Sequence, residues 1–190
     1  EVPITNMFQN KKLKAEELPI KCTAYSPCFR REAGSYGKDV RGLNRLHQFD
    51  KVEIVQVCNP NESYNTLDEM VQHVSELLKK LKLRFRIVKL CAGDLGFTSA
   101  LTYDFEVYAP GQKKWLEVSS VSNFETYQAT RLRLKCINKD NTSHFCHTLN
   151  GSALALPRIV ATILEENQKE NKIIMPDVLC DYLGFKEITI

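Results

Sequence analysis

The chain has 190 residues, of which 43% are hydrophobic and 26% charged, with a formal net charge of +3. That length supports one domain with a sizeable core, and so small an excess of cations argues against nucleic-acid binding by bulk charge, so any basic site must be local. No stretch approaches the roughly 18 apolar residues that span a bilayer, and no signal-peptide pattern opens the chain, so no membrane association is expected.

The opening Glu1-Val2-Pro3-Ile4-Thr5-Asn6 lacks an initiator Met and reads as mid-domain sequence, which predicts a longer parent polypeptide. Residues 10–19 are polar and predict a short helix or loop. Residues 21–30 read as extended, and residues 34–42, with three glycines, predict a loop. FDKVEIVQV at 49–57 reads as a second strand, so the two strands make a long antiparallel hairpin. After a turn at 58–62, Thr66 and Glu69 fit a capping box. Leu67, Met70, Val71, Val74, Leu77, Leu78 and Leu81 then recur at helical spacing. Extended runs follow at 84–91, 102–108 and 115–122, with Ala109-Pro110-Gly111-Gln112 as a hairpin turn. A further strand is expected at 131–137, then a polar loop at 138–143. Pro157 stands where a helix first turn tolerates it, and a turn and short helix close the chain over 172–183. Antiparallel strands with helices laid on one face make an α+β plan.

The hairpin from Phe29 to Glu53 carries Arg30, Arg31, Lys38, Arg41, Arg45 and Lys51 among Glu32, Asp39, Asp50 and Glu53. Two readings stand. One is a solvated hairpin of mixed charge. The other places Arg30 and Arg45 on the strands near the core, where a planar guanidinium asks for a bidentate anion such as phosphate. Phe49 then offers a flat face for a nucleobase. Glu117, in WLEVSS, is open in the same way. It is a strand-face carboxylate paired with an arginine, or an oxygen ligand for magnesium on nucleotide phosphates. In NGSALALPR, Arg158 falls in a helix first turn, where the macrodipole disfavours a cation. That suggests a nearby anion, or else an exposed arginine at a frayed end. His144, Cys146 and His147 lack a second ligand pair at zinc spacing. Neither GxGxxG nor GxxxxGK[ST] occurs.

These stretches resemble the class II aminoacyl-tRNA synthetases in their seryl form. FRREAGSYGKDVRGLNRLHQFDKVE is similar to that family's motif 2 and NGSALALPR to its motif 3. TYDFEVYAP and WLEVSSVSN lie between them in the family's order, and EVPITN resembles the end of its serine-binding TAE stretch. The resemblance implies a single catalytic core over residues 1–190, an antiparallel sheet flanked by helices, without motif 1 and without the N-terminal tRNA-binding coiled coil. It implies an ATP site of Arg30, Arg31, Glu32, Arg45, Phe49, Glu117, Val118, Ser119, Ser120 and Arg158, with Arg30, Arg45 and Arg158 acting in catalysis. Glu1, Glu53 and Ser152 would read L-serine, and Glu117 and Ser120 would carry Mg2+ with ATP. The loop 34–42 would sense ATP and then the tRNA end. The partners implied are ATP, L-serine and tRNA(Ser), in a homodimeric parent. A cytoplasmic setting matches the seven scattered cysteines. Two other readings are an amino acid ligase for a carrier protein, which in relatives uses a cysteine-ligated zinc, and a non-catalytic regulatory module.

Overall fold

The structure is a computed structural model that describes residues 1–32 and 42–190. The expected loop, apart from Gly42, lies outside the described residues, as do Lys38 and Arg41. Six strands form the main sheet: β1 (Ile20–Phe29), β2 (Gln48–Cys58), β3 (Phe85–Lys89), β4 (Leu101–Ala109), β5 (Lys114–Asn123) and β6 (His147–Ala155). Their order is β1-β2-β6-β5-β4-β3, with every neighbouring pair antiparallel. The last strand in sequence therefore lies in the middle, between β2 and β5.

Helix α1 (Ser63–Lys80) lays its expected stripe on this sheet. Leu67, Met70, Val74 and Leu78 are all buried, against Phe105 and Val107 of β4, Val121 of β5 and Leu149 of β6. Each such side chain contributes roughly 1.5–3 kcal/mol by leaving water. A short helix α2 (Thr126–Leu132) follows β5, and α3 (Leu156–Glu166) runs directly out of β6. Ile159 and Ile163 of α3 join the same apolar cluster, so α1 and α3 share one face of the sheet. A second cluster holds Val57, Phe8, Leu13, Leu132, Leu134, Cys136 and Cys146. Val57 points away from Cys58 because successive strand residues alternate faces.

Three local expectations are corrected. Helix α1 begins at Ser63, and Thr66, expected as its cap, lies buried inside it. Tertiary contacts override the capping signal: Ser63 Oγ donates to Pro60 O (3.1 Å), accepts from Asn123 Nδ2 (3.1 Å) and meets His147 Nδ1 (2.8 Å). The strand expected at 131–137 is only Lys135–Ile137, because α2 runs to Leu132 and Arg133 ends it in a left-handed conformation. That short strand pairs with Lys12–Lys14, inside the segment expected to be helix or loop. Finally, NGSALA, where no strand is expected, is the body of β6. Among the described residues, no helix is long and apolar enough to cross a membrane.

Candidate active site

The ends of β1 and β2, the middle of β5 and the junction of β6 with α3 surround a cleft, the concave kind of place where small-molecule sites form. Arg30, Arg45, Phe49, Glu117, Val118, Ser119, Ser152 and Arg158 all line it. These residues come from segments more than a hundred positions apart, and only the β2-β6-β5 adjacency unites them. The strand registers slip in two places beside the cleft, between Lys51 and Glu53 against β6 and between Phe105 and Glu106 against β5. Such bulges re-aim side chains and cluster next to functional sites.

Arg30 and Arg45 are not on the strands near the core, as expected. Arg30 follows the last residue of β1, Arg45 precedes the first residue of β2, and both are exposed. The reason is that the hairpin ladder closes with Arg30 N donating to His47 O (2.8 Å), so both guanidiniums project from its rim. Arg30 lies over the Phe49 ring, 4.9 Å from its centroid, a cation–π contact. Arg45 pairs with the largely buried Glu32. Arg31 is exposed and is not among the cleft-lining residues.

Arg158 sits in the first turn of α3, and its neighbours explain what the macrodipole argument left open. Its Nε donates to Asn44 O (2.9 Å) and its Nη1 to Glu117 O (2.6 Å). Two carbonyls from separate segments thus compensate a placement that the helix alone disfavours. Burial lowers its pKa, and Arg30 and Arg45 add to that against the attraction of Glu117. It remains a cation at any physiological pH.

Glu117 opens into the cleft, yet the protein walls around it push its carboxyl above the ordinary value. Asp104 adds to the rise, and Arg158 and Arg30 oppose it. Asp104, paired across the ladder with Ser120, is raised too, chiefly by burial. Its Oδ1 is buried without a hydrogen-bond partner. An oxygen-only donor set with a spare carboxylate oxygen fits a magnesium ion. Among the described residues, no three His, Cys, Asp or Glu side chains form a cage of their own. An ion at Glu117 and Ser120 would therefore complete its coordination with phosphate and water, as magnesium commonly does.

Deeper on the sheet, Glu53 is 4% exposed. Its Oε2 takes an ion pair from Lys51 Nζ (2.7 Å) and a hydrogen bond from Ser152 Oγ (3.4 Å), its partner in register. Ser119 Oγ donates to Ser152 O (2.5 Å) and fixes that residue's backbone. Glu1 is not brought to this group. Its carboxylate accepts from Gln128 Nε2 (2.7 Å), whose Oε1 accepts from Thr148 Oγ1 (2.8 Å) at the other end of β6. Two polar cleft residues were absent from the sequence-derived site set. Lys51 shares a strand face with Phe49 and Glu53, a period-2 signal present in the sequence. Asn44 acts through its backbone carbonyl, which no side-chain pattern reveals. The remaining soft ligands lie elsewhere: His147 packs on Ser63, and Cys146 is a buried thiol whose pKa burial pushes up to about 12.

Comparison with known proteins places this geometry. The family described as tRNA synthetase class II core domain (G, H, P, S and T) matches residues 1–167. A serine–tRNA ligase of Akkermansia muciniphila is 51% identical over 185 residues, 97% of this chain and 43% of that relative. Among solved structures, seryl-tRNA synthetase from Pyrococcus horikoshii complexed with ATP superposes with a TM-score of 0.95 at 41% identity, over 98% of this chain and 42% of that one. The cytoplasmic serine–tRNA ligase of Naegleria fowleri in complex with AMP gives 0.93 at 34% identity, over 99% and 45%. The chain spans less than half the length of these relatives.

Proposed function

The chain belongs to the class II tRNA synthetase core-domain family, and from that membership we propose that residues 1–190 form the catalytic core of a serine–tRNA ligase. The core activates L-serine with ATP and passes the seryl group to tRNA(Ser), in a homodimeric, cytoplasmic enzyme. The observation that supports this most is the convergence of Arg30, Arg45, Arg158 and Glu117 on one cleft. The relatives of known function, one of them solved with ATP, support it independently.

Adenine lies between Phe49 and Arg158, with Glu32, Val118 and Ser119 completing the nucleotide site. The serine carboxylate attacks the α-phosphorus of ATP, the bond to the bridging oxygen breaks, and pyrophosphate leaves. Negative charge grows on the phosphoryl oxygens, where Arg30 stabilises it by a preorganised charge. Arg45 and Arg158 hold the outer phosphates and favour departure of pyrophosphate. Glu117 and Ser120 would hold magnesium, which would supply charge neutralisation at the phosphates. Glu53 and Ser152 accept and donate at the serine hydroxyl. A site built to bond a hydroxyl rejects the analogue without it by roughly 10⁴-fold or more, because its own polar groups are then left unpaired.

The test is binding and exchange. ATP with magnesium is expected to raise the melting temperature, and the protein is expected to exchange pyrophosphate with ATP in the presence of serine. Arg30→Ala should abolish the exchange while leaving the ligand-free melting temperature close to that of the parent. Absence of any ATP effect on the unmutated protein would remove the proposal.

A further inference from the structure

The turn that joins β4 to β5 reaches over to the nucleotide cleft, although none of its residues lines it. Gln112, in that turn, faces Asn44 amide to amide: Asn44 Nδ2 donates to Gln112 Oε1 (2.5 Å), and Gln112 Nε2 lies 3.4 Å from Asn44 Oδ1. The same Nε2 donates to Glu165 Oε1 (2.7 Å), and the neighbouring Gly111 N donates to Glu165 Oε2 (3.0 Å). Glu165 stands near the end of α3, two helical turns after Arg158. The backbone oxygen of the same Asn44 accepts the Arg158 Nε. A closed circuit results, from Arg158 to the Asn44 carbonyl, through the Asn44 side chain to Gln112, to Glu165, and back along one helix to Arg158.

We propose that Gln112 and Glu165 are positioning residues for ATP: they clamp Asn44, and through its carbonyl they set the aim of the Arg158 guanidinium and hold the root of the hairpin that carries Arg45. The inference rests on the reading of the cleft as an ATP site. Asn44 belongs to a single short turn, Gly42–Asn44, with no regular ladder of its own. Without the clamp, its carbonyl has no fixed direction, and Arg158 loses one of its two backbone acceptors. Gln112 can span the gap because its amide both donates and accepts. A carboxylate in its place would keep the bond from Asn44 Nδ2 but face the Glu165 carboxylate at hydrogen-bond distance, where like charges repel.

A reciprocal exchange tests this in serine-dependent ATP–pyrophosphate exchange by the protein. Gln112→Glu should raise the KM for ATP about tenfold, the worth of one charge-assisted hydrogen bond. The KM for serine should stay unchanged. Adding Glu165→Gln restores a donor opposite the introduced carboxylate and keeps an acceptor for Gly111 N, so the double variant should recover most of the affinity. A structural defect alone would lower kcat through the active fraction and leave the KM for ATP where it was. A wild-type KM for ATP in Gln112→Glu, or a double variant no better than the single one, overturns the clamp while leaving the ATP reading intact. An unmutated protein that neither binds nor exchanges ATP overturns both.

Discussion

Gly151 of β6 shows how little room the site leaves at the level of single atoms. A Cβ there would lie 2.8 Å from Val121 Cγ2 and 3.1 Å from Ser120 O, so β5 and β6 approach too closely for any side chain. Valine is stiff about χ1 and a backbone oxygen cannot swing away. Gly151→Ala should therefore cost about 1–3 kcal/mol, the usual cost of overpacking, read as a lower denaturation midpoint. A midpoint unchanged would mean that the strands separate freely. Glu117 gives a second residue-scale expectation. Its carboxyl and that of Asp104 are raised in the folded state, so the fold keeps protons that the unfolded chain releases. The stability they lend is complete below the ordinary carboxylate value and is lost as pH rises through the raised values. Glu117→Gln should flatten that fall in a series of denaturation midpoints taken without magnesium from about pH 4 to 7, the span above the ordinary carboxylate value; an unchanged slope would assign the effect elsewhere.

Among the elements, α1 teaches most about what local sequence conveys. Its apolar stripe was legible because period 3.6 survives any environment. Its start was not, because Ser63 is chosen by partners 60 and 84 positions away, Asn123 and His147. Ser63→Ala should cost about 1–3 kcal/mol by leaving buried polar groups unpaired, in a urea titration where Thr66→Ala, if that residue were the cap, would show the larger loss. Burial holds the pKa of His147 below its ordinary value, consistent with a neutral ring in this network. The same limit explains why no strand is expected at NGSALA. Small residues carry little strand propensity, and β6 is a strand because neighbours on both sides supply its hydrogen bonds. By residue type Arg30 and Arg45 left two readings open, and their exposure on the hairpin rim depends on where the ladder closes.

Across the whole molecule, the fold class and the first five strands of the main sheet were readable, since alternation and turn residues act locally, but β6 was not. Which strands lie side by side was not, and the cleft depends on that. Family resemblance supplied the grouping of Arg30, Glu117 and Arg158 that spacing could not. It could not supply Lys51 and Asn44, whose roles come from a shared strand face and from a carbonyl. The central place of β6 has a consequence for synthesis. Until residues 147–155 leave the ribosome, the nascent chain holds a two-stranded ribbon, β1-β2, and a three-stranded meander, β3-β4-β5, each with a bare border where the missing strand will go. Unpaired strand borders on partly folded chains invite sticking to other chains. Completion of the cleft and removal of that hazard are thus one late event, the arrival of a single nine-residue wedge.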